Sequence, residues 1–113
     1  MLVHVVLFRP RPDLTAEDRT ALVKAFSRAL REIPSIRRGR VGRRVTLGRP
    51  YEQLMRDNYE YAAVLEFDDL AGLKAYLDHP AHTALAERFF DAFAAALMYD
   101  FELTDGIDAL DQF

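Results

Sequence analysis

The chain has 113 residues, half of them apolar, with 15 Lys and Arg against 18 Asp and Glu for a formal charge of −3. That length suits one domain with a core of its own, and so weak a charge exerts no long-range pull on nucleic acid or an anionic membrane surface. There is no cysteine, which excludes disulfides, thiolate catalysis and cysteine-based zinc sites and fits a reducing, cytoplasmic setting.

The opening run "LVHVVLF" (Leu2–Phe8) reads as a first strand, stopped by the prolines of "RPRPD", which cannot extend a ladder. It holds a histidine and has no basic segment before it, so a strand is expected and not a signal peptide. Thr15 opens a helix, its hydroxyl placed to cap the first turn with Asp18 three residues on. Leu22, Phe26, Ala29, Leu30 and Ile33 make one apolar stripe, and Pro34 ends the helix at Glu32–Ile33. "GRVGRRVTL" is a second, weaker strand, "RPYEQLMRDN" a polar connection and "YEYAAVLEFDD" a third strand of clear β character. Leu70, Leu73, Tyr76 and Leu77 form a short second helix, capped by Asp68 or Asp69. Pro80 starts a third, predicted to carry Leu85, Ala86, Phe89, Phe93, Ala96 and Leu97 on its inner face before a short last strand in "MYDFEL". Residues 1–103 make the domain, and "TDGIDALDQF", 104–113, is an acidic tail. No apolar stretch nears the roughly 18 residues of a membrane span.

Strand, helix, two strands, one broken helix and strand is the split βαβ pattern of a ferredoxin-like α+β domain, a four-stranded antiparallel sheet with helices on one face. On the first strand His4, Val6 and Phe8 share a side, opposite Val3, Val5 and Leu7; on the third, Tyr61, Ala63, Leu65 and Phe67 oppose Ala62, Val64 and Glu66. Both faces are largely apolar, yet helices cover only one. Each residue left uncovered forfeits roughly 1.5–3 kcal/mol of burial. A second copy is the simplest cover, so the chain is expected to form a homodimer whose two sheets face one another as a dimeric α/β barrel. On that uncovered face His4 and Tyr61 would be the polar members of a pocket, beside the small Ala63. The alternative is that both are core residues with their polar atoms hydrogen-bonded.

"AYLDHPAHTAL" concentrates chemistry. Pro80 biases His79 toward extended geometry, so His79 is expected to cap the junction or rest at the surface. His82 lies three, four and seven residues before Leu85, Ala86 and Phe89 and shares their inward stripe. Burial and a helix N-terminus both disfavour imidazolium, and a neutral inward imidazole can act as general base. Tyr76 could place its hydroxyl in the same space as a donor to a carbonyl or enolate oxygen. The same corner could also exist because it packs a helix–helix turn, and two histidines without a spaced carboxylate or cysteine are a poor metal shell. The arginines of Arg37–Arg49 read as a solvated face partly paired with Asp and Glu. Ser27 and Ser35 have no neighbouring base to support a triad.

Taken together, "HVVLF", "REIPSI", "VGRRV", "YEYAAVLEF" and above all "AYLDHPAH" followed by "YDFEL" resemble the stress-responsive A/B barrel domain family (Dabb), over nearly all of Met1–Leu103. The resemblance implies the ferredoxin-like fold and a dimeric barrel, with no cofactor and no metal. One plant member is a cofactor-free polyketide cyclase acting by aldol condensation, which implies Tyr76 and His82 as a catalytic pair, and His4, Tyr61, Phe26 and His79 around the pocket. Tyr61 stands where that cyclase has histidine and Phe26 where it has tyrosine, departures that reshape the cavity. The expected partners are a second copy and a small apolar or carbonyl-containing ligand, with no nucleic acid and no membrane. Two alternatives stay open: a non-enzymatic stress or ligand-binding barrel, and, by analogy with related dimeric barrels, a cofactor-independent monooxygenase.

Overall fold

The computed structural model describes residues 1–111, so the tail's last two positions, 112 and 113, lie outside the described residues. In chain order the elements are β1 (Leu2–Pro10), α1 (Ala16–Glu32), β2 (Arg38–Arg43), α2 (Pro50–Leu54), β3 (Tyr61–Phe67), α3 (Leu70–Asp78), α4 (Pro80–Ala92) and β4 (Phe93–Glu102), followed by a 3₁₀ turn at Asp108–Leu110. The strands form one sheet in the order β2-β3-β1-β4, every neighbouring pair antiparallel.

Local chemistry sets the boundaries. Thr15 Oγ1 accepts from the Asp18 amide at 3.1 Å, and α1 ends at Glu32 with Ile33 extended before Pro34. Asp69, rather than Asp68, caps α3 by accepting from the Gly72 amide at 2.8 Å. β2 is shorter than its sequence suggests: it stops at Arg43, and Val45 and Leu47 stand exposed beyond it. The polar connection holds a short helix, α2, with Pro50 at its start and Glu52 accepting from the Leu47 and Arg49 amides at 2.8 and 2.6 Å.

The third predicted helix ends earlier than its apolar stripe implies. Phe93, Ala96 and Leu97 belong to β4, which is ten residues long. The reason is β1: its last residues, Leu7 to Pro10, pair with Leu97 back to Phe93, so a longer α4 would leave that edge of β1 unpaired. This ladder outweighs the helix preference of the Ala-rich run.

The short dimension of the molecule, 18 Å, has room for one sheet and one helix layer. All the long helices lie on one face, and the alternation expectation is corrected as to which. His4, Val6, Phe8, Ala63, Leu65 and Phe67 are buried under the helices, against Ala29, Ile33, Leu73, Tyr76, Leu85 and Phe89. His4, Tyr61 and Ala63 therefore do not belong to the uncovered face. Alternation separates the two sides without saying which meets the helices; in the folded chain Phe8, Leu65 and Phe67 fill the space under the helix layer. The open side carries Val5, Leu7, Ala62 and Val64, with Leu97, Tyr99 and Phe101 of β4 between 37% and 56% exposed. At its β2 edge, arginines pair with acids as the sequence suggests: Arg37 with Asp68 at 2.6 Å and Arg40 with Glu66 at 3.8 Å.

Candidate functional site

The site starts at the α3–α4 corner. His79 serves both helices: its amide donates to the Tyr76 carbonyl at 3.2 Å, closing α3, and its Nδ1 accepts from the Ala81 amide at 3.0 Å, opening α4. Pro80 occupies the first helical position, where its missing amide costs nothing. This double cap turns the chain sharply between Tyr76, in the last turn of α3, and His82, in the first turn of α4. Their rings meet edge to face with centroids 4.7 Å apart. His4, from the middle of β1, brings its ring to 5.8 Å from that of Tyr76.

These three side chains are the polar part of a cavity of about 150 Å³ between sheet and helices, otherwise walled by apolar groups such as Val6, Phe26, Ala63, Leu85, Phe89 and Met98. A cavity on the order of 150 Å³ admits one benzene-sized molecule. The structure thus brings together His4, Phe26, Ala63, Tyr76 and His82 of the residues singled out in sequence. It leaves two aside. Tyr61 lies further along β3, stacked on Phe8 at 5.7 Å, and His79 is spent on the helix caps.

Electrostatics separate the roles. Burial, reinforced by the negative charge of Asp100, pushes the Tyr76 hydroxyl up to about 12, so it remains a donor at neutral pH. His82 is pushed below its ordinary value by burial and by the neighbouring charge of His4, against an opposing hydrogen bond to the Leu77 backbone. A neutral imidazole carries a lone pair on one of its two ring nitrogens and can accept a proton there. A protonated phenol beside a neutral imidazole can polarise a carbonyl oxygen and take a proton from the adjacent carbon.

Asp100 was not foreseen. It stands opposite His4 in the β1–β4 ladder, with Oδ1 2.6 Å from His4 Nδ1. The one available signal was a carboxylate in the middle of the strand "MYDFEL", where aspartate is disfavoured unless it has a partner. Among the described residues no three His, Asp or Glu side chains gather to hold a metal ion.

The family model for the Stress Responsive A/B Barrel Domain matches residues 2–103. The chain belongs to that family. This A/B barrel domain is similar to a dimeric ferredoxin-like protein of unknown function from Thermobifida fusca, at 28% identity over 90% of each chain with a TM-score of 0.68. A second dimeric protein of ferredoxin-like fold, from Bacteroides fragilis, matches at 26% identity over 90% of this chain and 95% of its own, TM-score 0.63. The hydroxynitrile lyase of Passiflora edulis superposes with a TM-score of 0.77 over 93% and 94% of the two chains; at 15% identity it shows the shared fold. No curated protein matches the sequence. Among the described residues of this A/B barrel domain, no helix is long and apolar enough to cross a membrane.

Proposed function

We propose that this A/B barrel domain works as a homodimer with one ring-sized apolar pocket per subunit, and that the pocket carries out cofactor-free proton transfer on a small neutral carbonyl compound. The observation that carries the chemistry is the pairing of Tyr76 and His82 across the corner at 4.7 Å, a phenol held protonated beside an imidazole held neutral. In the proposed step the free nitrogen of His82 takes an α-proton, the C–H electron pair moves into the enolate, and the enolate oxygen accepts a hydrogen bond from Tyr76. The small cavity favours a single ring or short chain over an extended polyketide.

The dimer is supported by the exposed apolar side of the sheet and by the dimeric description of the two bacterial relatives. The domain spans residues 1–103 and the tail from 104 lies outside it, in keeping with the reach of the family match. The absence of cysteine suits the cytoplasm.

Exchange of the α-protons of cyclohexanone in D₂O, followed by proton NMR, tests the chemistry. Exchange above the buffer rate that disappears in Tyr76→Phe and drops in His82→Gln supports it; no exchange by the wild type refutes it. The second reading, a ligand-binding barrel without turnover, is favoured by the tight packing of Tyr76, only 3% exposed. Cyclohexanone binding without exchange would select that reading.

A further inference from the structure

One buried group of the site takes no part in the step between His82 and Tyr76. His4 is 7% exposed, faces the cavity, and has Nδ1 2.6 Å from Oδ1 of Asp100, whose side chain is half exposed. An ionised carboxylate only accepts, so the hydrogen of this bond sits on Nδ1. In the neutral ring the lone pair is then on Nε2, the one ring nitrogen left for a molecule in the cavity. Asp100 comes from β4 and His4 from β1, two rigid paired strands, so the pair is built into the ladder and does not hang on a loop. An imidazole oriented through Nδ1 by a carboxylate is the arrangement that fixes a base in a usable tautomer.

We infer that Asp100 and His4 form a carboxylate–imidazole dyad in which Asp100 is the positioning residue and His4 Nε2 is a second proton acceptor, on the sheet wall of the cavity across from His82 on the helix wall. The inference rests on the proton-transfer reading and extends it. Tyr76 neighbours both imidazoles, with centroid distances of 5.8 Å to His4 and 4.7 Å to His82. In the proposed arrangement a ketone whose oxygen meets the Tyr76 hydroxyl is presented to both. The substrate class this suits is a small neutral ketone with an enolisable C–H bond on both sides of the carbonyl. On the sheet side, Nε2 takes the α-proton and the C–H pair passes into the enolate held by Tyr76. The resulting imidazolium returns that proton, or a deuteron after exchange with D₂O, to the same carbon.

The test has two arms. Long-range ¹H–¹⁵N correlation spectra of ¹⁵N-histidine-labelled protein, above the titration range of the ring, report which nitrogen of His4 carries hydrogen. Wild type should show it on Nδ1. Asp100→Asn, whose amide can donate to Nδ1, should move it to Nε2 while the remaining spectrum stays folded; Asp100→Ser, which removes the carboxylate with less bulk, serves if the Asn variant does not fold. A wild-type His4 with hydrogen on Nε2, or a tautomer indifferent to both substitutions, overturns the dyad. In the second arm, the cyclohexanone exchange that remains in His82→Gln should fall about 100-fold further when Asp100→Asn or His4→Gln is added, the low end of what a positioned base supplies. Exchange in His82→Gln that persists unchanged in both double variants overturns the second acceptor and leaves the His82 chemistry standing. Absence of exchange in wild type, whatever the tautomer, removes the proton-transfer reading itself.

Discussion

Tyr76 and His82 lie six positions apart on two different helices, yet their rings are in edge-to-face contact at 4.7 Å, because the chain turns back on itself at His79–Pro80. Each ring supplies part of the other's dry surroundings. The phenol therefore stays protonated and the imidazole neutral, the two states that the proposed chemistry requires.

Acid should destabilise the protein through His82. Unfolded, this ring takes up its proton near the ordinary 6.5; folded, it does so only at lower pH. Between those two values the unfolded chain binds more protons and is favoured. The stabilising contribution of the neutral ring is whole above about pH 6.5 and is lost as the pH falls through the folded value. Melting temperatures from pH 8 to pH 4.5 should show a smaller acid-side loss in His82→Gln than in wild type; parallel curves would contradict this.

Tyr76→Phe and Tyr76→Ala should separate chemistry from packing. The ring packs on Phe67 at 5.3 Å as well as on His82, and the Phe variant keeps those contacts, changing stability by no more than about 1 kcal/mol. It should nevertheless lower α-proton exchange by about 10²–10³, as loss of an oxyanion donor does. Tyr76→Ala should cost roughly 3–5 kcal/mol in denaturant titrations.

His79→Ala should act on stability alone. Its ring caps α4 by accepting the Ala81 amide and does not wall the cavity. Loss of such a cap costs about 1 kcal/mol. Cyclohexanone exchange by the folded variant should equal that of wild type, and a large drop would return His79 to the pocket.

Gly39 on β2 should resist enlargement. A Cβ there would run into the Leu30 side chain and lie 2.9 Å from Cδ2 of Leu65, which is 2% exposed. Gly39→Ala should cost about 1–3 kcal/mol by overpacking, measured by chemical denaturation. Gly42, with open space around its Cα, should accept alanine with a much smaller change.

The open side of the sheet should set the assembly. Leu7 and Leu97 are cross-strand partners there, between β1 and β4. Light scattering should give twice the chain mass for wild type, and Leu97→Arg, which keeps the covered core intact, should give single chains. A wild type that is monomeric at micromolar concentration would end the dimer proposal.

Much of this was written in short-range pattern. The spacing of His82 from Leu85 and Phe89 put its ring inward, and the prolines at 34 and 80 marked a helix end and a helix start. What escaped detection depended on pairing between distant segments. Alternation grouped His4 with Val6 and Phe8 correctly but assigned them to the uncovered side, since both sides are apolar and only the helix layer breaks the tie. The end of α4 at Ala92 follows from the length of β1, not from anything in "FAAAL". Asp100 became part of the site only through a register that joins residues 96 positions apart.

The rotation of α4 is pinned by Leu85 and Phe89, both buried. One residue added between His82 and Leu85 would swing the imidazole about 100° around the axis while the rest of the helix stayed seated. The guest-contacting walls, Phe26 or Met98 for instance, can change size to admit a different molecule. The count of residues from phenol to first anchoring leucine has no such freedom, so length at this corner is itself a chemical constraint.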